Sequence, residues 1–320
     1  MPAYTRQREL VTIRPLQQSD LAAADHIMRM AFGTYLGAPD PVAVFGDADY
    51  VRTRFLAAPE CAWAAQIDGE LVGSNFATRW GSFAFFGPLT VRVDLWERGI
   101  GSRLMAPVVE TFERWEVRQS GLFTFPQSAK HIGLYQKHGF WPRSLNPVMS
   151  KPVGQGSSGY STYSELPETQ RPGALRAIRG LTNAIFPGLD LEREIQAVDS
   201  QALGDTVLLH EDDQLAGLAV CHCGSGTEAG SGACFVKFGA VRPGPGAANR
   251  FERLLDACEH LAAESGVARI AAGVNTGRLD AYRRMLARGF RADLVGLAMR
   301  SRPDGPDYDG PQHYVIDDLR

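Results

Sequence analysis

A chain of 320 residues exceeds one ordinary compact core and suits two; hydrophobic (44%) and charged (22%) fractions are those of soluble globular protein. A formal net charge of −3 excludes a general electrostatic pull toward nucleic acid or anionic membrane, so neither is expected as a partner. The opening MPAYTRQREL holds no apolar stretch of signal-peptide length, no eighteen apolar residues run together, and five cysteines are an odd number; the chain reads as cytoplasmic and without a disulfide framework.

In chain order, VTIRPL predicts a strand, followed by a helical segment through Met30. AWAAQIDGELVGSNFA predicts a hairpin turning at Asp68 and Gly69. FAFFGPLTVRV reads as one further strand leading to a helix over about 99–118. That helix carries the stripe Ile100, Leu104, Val108, Phe112 and Trp115, and Pro107 is expected to bend it. A short strand GLFTF, a helix ending at Gly139 and the strand LNPVMSKP follow, and KPVGQGSSG (151–159) is the linker candidate.

The order then repeats: YSTYSEL, a helix near 172–184, the hairpin TVLLHEDDQLAGLAV, ACFVKFGAV, a helix near 247–264, ARIAAGV, a helix ending at Gly289, and LVGLAM. HYVIDDLR has strand character and reads as a late addition to the second sheet. Val91 and Val241, Leu104 and Leu254, and Gly139 and Gly289 all stand 150 positions apart, which marks an internal duplication. Domains are expected at 1–152 and 153–320.

The stretch LTVRVDLWERGIGSRLM (89–105) runs from a strand through Gly99 and Gly101 into an amphipathic helix. The first amides of such a helix lack carbonyl partners, and Arg98 and Arg103 add charge, which suits a pyrophosphate. Plain turn chemistry accounts for two glycines equally well. Cys221 and Cys223 flank His222, but alternate residues of a strand share a face, and buried thiols are the alternative to a metal pair. With no second ligand pair and no HExxH, no metal is expected.

The segment 96–101, WERGIG, resembles the cofactor-binding segment of the GNAT-family acyltransferases, Gln/Arg-x-x-Gly-x-Gly/Ala after a strand, with Trp96 in place of the Gln or Arg. GLYQKHGF resembles the family's later segment: Leu134, Tyr135, Gly139 and Phe140 match, while Ser128 replaces an Asn and His131 an Ala. Element order agrees over nearly the whole first half. A dinucleotide fold needs another glycine and parallel alternation, which the hairpins oppose.

The resemblance implies an α/β fold of the α+β type: two tandem GNAT-like domains, each a mixed, mostly antiparallel twisted sheet flanked by helices. It implies acetyl-CoA as acyl donor, held by Leu89, Val91, Trp96, Glu97, Arg98, Gly99, Ile100, Gly101, Ser102, Arg103 and Ser128. The donor would lie in a splay between strands ending near Val91 and beginning near Gly121. Tyr135 stands where the family's thiolate-protonating tyrosine stands, although an amphipathic core position explains the same residue.

The implied acceptor is a primary amine of a small molecule or protein. Phe32, Tyr35, Phe76 and Trp80 either wall its pocket or pack in the core. Asp94, Glu97 and Glu110 are weak candidates for a base, and water can relay the proton instead. The alternative is a CoA-responsive or small-ligand-binding module without turnover, motivated by Trp96 and the unnamed base. In the second half, alignment from Val241 puts Asn249 and Phe251 at the positions of Gly99 and Gly101; a shifted alignment pairs Gly246 and Ala248 with them. Met285, at the place of Tyr135, has no proton to give. One working site is therefore expected, in the first half.

Overall fold

The structure, a computed structural model, describes residues 10–154, 156, 159–302 and 308–320. Within the linker stretch, residues 155, 157 and 158 lie outside the described residues. The first half contains β1 (Thr12–Pro15), α1 (Leu21–Tyr35), α2 (Tyr50–Ala57), β2 (Ala62–Ile67), β3 (Glu70–Trp80), β4 (Phe83–Phe86), β5 (Thr90–Val91), α3 (Ile100–Arg114), β6 (Gln119–Thr124), α4 (Ala129–Lys137) and β7 (Phe140–Pro152). The second contains β8 (Ser161–Thr162), α5 (Arg171–Ile185), α6 (Glu192–Ser200), β9 (Gly204–Glu211), β10 (Gln214–Gly224), β11 (Gly230–Val241), α7 (Ala247–Glu264), β12 (Arg269–Gly273), α8 (Leu279–Ala287), β13 (Arg291–Ser301) and β14 (Val315–Ile316).

Local chemistry explains the hairpins. Asp68 and Gly69 both have positive φ, as a two-residue β2–β3 turn of matching twist requires, and Asp212 and Asp213 repeat this between β9 and β10. The stretch expected as one strand, 83–93, divides into β4 and β5, because Pro88 has no N–H to give a ladder. Pro107 lies within a continuous α3. Helices α2 and α6 were not anticipated. In α2, Tyr50, Val51, Thr53, Arg54 and Phe55 are all buried, so no polar stripe betrays it, and Asp49 caps it by accepting the Arg52 N–H at 2.9 Å.

The described strands form one 14-stranded sheet, ordered β1-β2-β3-β4-β6-β13-β7-β12-β11-β10-β9-β8, with β5 on β3 and β14 on β11. Only β4–β6 and β11–β12 are parallel among these pairs. Two separate sheets were expected; the closing strands are instead exchanged. β13 pairs with β6 of the first half, β7 pairs with β12 of the second, and β7 and β13 pair with each other. Swapping equivalent elements between two copies leaves the hydrophobic pattern of each strand unchanged.

The cores follow the same interlock. Trp80, Phe83 and Phe85 pack with Ile178, Leu181, Phe186 and Phe238, so one apolar cluster belongs to both halves. Beside it, Glu228 receives Arg54 and Lys237 at 2.9 Å each, and Lys237 also meets Glu194 at 2.8 Å, all buried. Removing one partner of such a buried pair costs about 3–5 kcal/mol. Cys221 faces the α7 core, whereas His222 turns to the opposite side, where its Nδ1 accepts the Glu228 N–H at 3.4 Å. No helix among the described residues is long and apolar enough to cross a membrane.

Candidate active site

Two openings in the sheet are built by the same device. β4 and β6 are paired from Phe83/Gln119 to Phe85/Gly121. The chain then leaves β6: the Gly87 N–H donates to Phe76 O at 2.8 Å, and Thr90 and Val91 pair with Ser74 and Gly73. β6 continues to Thr124, so a gap opens between it and Leu89–Val91, at the predicted place. In the second half, β11 and β12 part after Val236/Ala272. There β14 enters antiparallel, Val315 against Ala240 and Ile316 against Gly239. Ile316 packs in the α7 core and Val315 in the shared core, while buried Arg278 holds Asp317 at 2.7 Å. The second opening is filled by the chain itself.

At the mouth of the first opening, Gly99 is the residue before α3, with φ 79° and ψ 5°, a left-handed conformation that glycine adopts without strain. Gly101 is different. Its φ is not positive, and an added Cβ would meet only the Leu134 side chain at 3.6 Å, an ordinary contact. The fold itself therefore does not require glycine at 101. The first amides of α3 lie beside it without intrahelical carbonyl partners. Arg98 is exposed in the same turn.

The other expected donor-binding residues divide in their placement. Trp96 does not offer its N–H outward: the indole donates to Val91 O at 2.8 Å and braces the loop on β5. The Lys130 ammonium lies 5.6 Å over that indole and 3.2 Å from Glu97, bringing a cation to the mouth that the sequence reading did not single out. Leu89 is partly buried beside the α3 core, and Ile100 is fully buried. Ser102 Oγ lies 3.0 Å from His138 Nε2. Arg103 turns to an outer groove with Ile13, Trp63 and Glu110. Ser128 caps α4, accepting the His131 N–H at 3.4 Å.

Tyr135 is 8% exposed and meets Phe86 edge-on, with ring centroids 5.6 Å apart. Its hydroxyl lies toward the side chain of Thr124, the last residue of β6. Burial pushes the phenol well above its ordinary pKa, so it keeps its proton at neutral pH. Tyr135 thus belongs to the core, with its hydroxyl toward the end of β6.

The four aromatic residues assigned to an acceptor pocket separate into two pairs. Phe32 and Tyr35 both contact Phe125, at 6.2 and 4.7 Å between centroids, and Phe32 also meets Phe45 at 5.7 Å. Phe45 and Phe125 were missed, since no motif marks them. Phe76 and Trp80 need correcting: each is 1% exposed and neither reaches the opening. Phe76 packs under α1 and α2, and the Trp80 N–H is bound to Glu194 at 3.1 Å in the core shared with the second half.

The alignment of the second half needs correcting too. Gly246, with φ 80° and ψ −2°, precedes α7 as Gly99 precedes α3, so Gly246 and Ala248 are the counterparts of Gly99 and Gly101. The loop 242–245 is three residues shorter than 92–98, and α7, at 18 residues, is three longer than the 15-residue α3. The two changes cancel, which restores the 150-residue spacing at Tyr135 and Met285. Asn249 and Phe251 lie inside α7, Phe251 fully buried. Among the described residues no three His, Cys, Asp or Glu side chains are placed to hold a metal.

Residues 26–140 match the model of the Acetyltransferase (GNAT) family. The matched segment is a GNAT domain. A candidate acetyltransferase from Pyrococcus horikoshii shares the fold of the whole chain at 16% identity and TM-score 0.67, over 95% of this chain and 93% of that one. A GCN5-related N-acetyltransferase from Sphaerobacter thermophilus aligns at 17% identity and TM-score 0.57, over 95% and 99%. The tandem GNAT protein of the clavulanic acid biosynthesis pathway does so at 13% and 0.56, over 91% and 98%. No curated protein matches. The chain thus has the fold of two tandem GNAT-like halves, and the family match lies within the first.

Proposed function

We propose that the chain is an acetyl-CoA-dependent N-acyltransferase with one working site, in the first half, acting on a primary amine of a small molecule or protein. The observation that carries this is the gap between β5 and β6, which no described strand fills, with a left-handed glycine before a helix start at one end and a buried phenol at the other. The amides of α3, the left-handed turn at Gly99 and the space at Gly101 would hold the diphosphate of the donor. Leu89 and Val91 would flank its pantetheine arm. The amine attacks the thioester carbon directly, the carbon–sulfur bond breaks, and the Tyr135 hydroxyl gives its proton to the departing thiolate. In the second half β14 occupies the equivalent gap and Met285 replaces the phenol, so that half braces the first through the exchanged strands.

Incubating the purified chain with acetyl-CoA and a panel of amines, while following free thiol, tests the reading. Thiol release that depends on the amine supports it. Absence of CoA binding in calorimetry overturns it. A second reading, a CoA-responsive module without turnover, is favoured by Trp96, whose indole N–H is committed to Val91. Tight CoA binding with no acyl transfer to any amine would select it.

A further inference from the structure

His131 and Tyr135 of α4, and His138 just past its end, stand at i, i+4 and i+7 and therefore lie along one stripe. Their contacts order that stripe. His138 touches Ser102 in the first turn of α3, on the phosphate side. Tyr135 meets Thr124 at the end of β6. The His131 ring lies 5.3 Å from that of Tyr35, which lies 4.7 Å from Phe125. The stripe leads from the diphosphate, past the thiolate's proton donor, to the aromatic side formed by α1.

Within the acyl-transfer reading, on which this step rests, we propose that His131 is the base that removes a proton from the acceptor ammonium. The acceptor is an amine carried on an aromatic or similarly apolar group, which Tyr35, Phe125 and Phe32 can flank. The acidic residues considered from the sequence are engaged elsewhere: Asp94 holds Arg92 at 2.8 Å, Glu97 holds Lys130, and Glu110 lies in the outer groove. No described residue hydrogen-bonds the His131 ring, so its nitrogens are uncommitted within the protein. The groups facing it are Tyr35 from α1, Ser128 from the turn before α4, and Lys130 and Tyr135 on its own helix. Burial, and then the Lys130 charge, lower its pKa below the ordinary histidine value, leaving the imidazole neutral at pH 7 and able to accept a proton.

The protons balance. His131 takes one from the ammonium and later returns it to water. The amine lone pair forms the N–C bond, the C–S bond breaks, and the thiolate takes the Tyr135 proton. The nitrogen's second surplus proton restores the phenol. The net products are amide, free thiol and one proton in solution.

The test compares wild type with His131→Ala and His131→Asn on two probes: phenethylamine, an ammonium at neutral pH, and aniline, a neutral amine. For phenethylamine, kcat/KM should fall about 10²-fold, the ordinary worth of a positioned base. For aniline the fall should stay below about tenfold, and acetyl-CoA affinity in calorimetry should not change. The acid limb of the phenethylamine pH profile should move up toward the pKa of the amine itself. Equal losses on both probes, or an unmoved acid limb, would overturn the assignment while leaving acyl transfer standing. A wild type that binds acetyl-CoA and releases thiol with no amine would overturn both.

Discussion

At the first opening β5 departs from β6, and no described strand refills the gap; at the second, β14 adds to β11 and refills it. The helix starts beside the two gaps are nearly the same, each preceded by a left-handed glycine. A glycine turn into a helix therefore distinguishes nothing by itself here. What differs is the occupant of the gap and the side chain at its far end, Tyr135 or Met285. On the proposal of one working site, the second half would have lost its ligand by supplying a strand of its own chain to the exposed edge.

The strongest way to break this comparison is to loosen the occupant. Arg278→Ala leaves Asp317 buried and unpaired, and should destabilise the chain by about 3–5 kcal/mol in denaturant unfolding. A loss below about 1 kcal/mol would show that β14 is weakly held. Next in size is Tyr135→Phe, expected to lower kcat about 10²-fold with donor affinity unchanged. Equal losses of both would point to packing against Phe86 rather than proton donation.

A smaller effect concerns the charges that join the halves. Burial, and then Lys237, hold His222 down at about 4, against an ordinary value near 6.5, so acid protonates the unfolded chain first. Stability should fall as pH drops from about 6.5 to about 4. Arg54 and Lys237 overcome burial to keep the Glu228 carboxyl well below its usual range, so further loss follows below about 4.5. Unfolding midpoints across this window check the sign, and His222→Asn should flatten the upper part. A midpoint that rises on acidification would contradict the placement of both groups.

Much of the fold was legible because periodicity reports one element at a time. The hairpin at Asp68 and Gly69, the stripe on α3 and the duplication at 150 residues all stood out. Strand exchange was not legible: β7 and β13 carry the same alternation whichever neighbour they pair with. α2 was hidden because it is buried nearly all round. Within the site, Gly99 and Tyr135 were marked by spacing, whereas Phe45, Phe125 and Lys130 came together only through the fold. Trp80 looked like a pocket aromatic until α6 brought Glu194 to its N–H. The sequence left two alignments of the α7 start open, because the spacing of 150 residues closes again before Met285 and hides the shift of three residues from loop to α7.

The most direct test titrates CoA into wild type, Gly101→Val and Ala248→Val by calorimetry. The account expects one CoA per chain, at least about tenfold weaker binding for Gly101→Val, a loss of about 1.4 kcal/mol, and no change for Ala248→Val. Two CoA molecules per chain, or weakening by the second substitution and not the first, would contradict it.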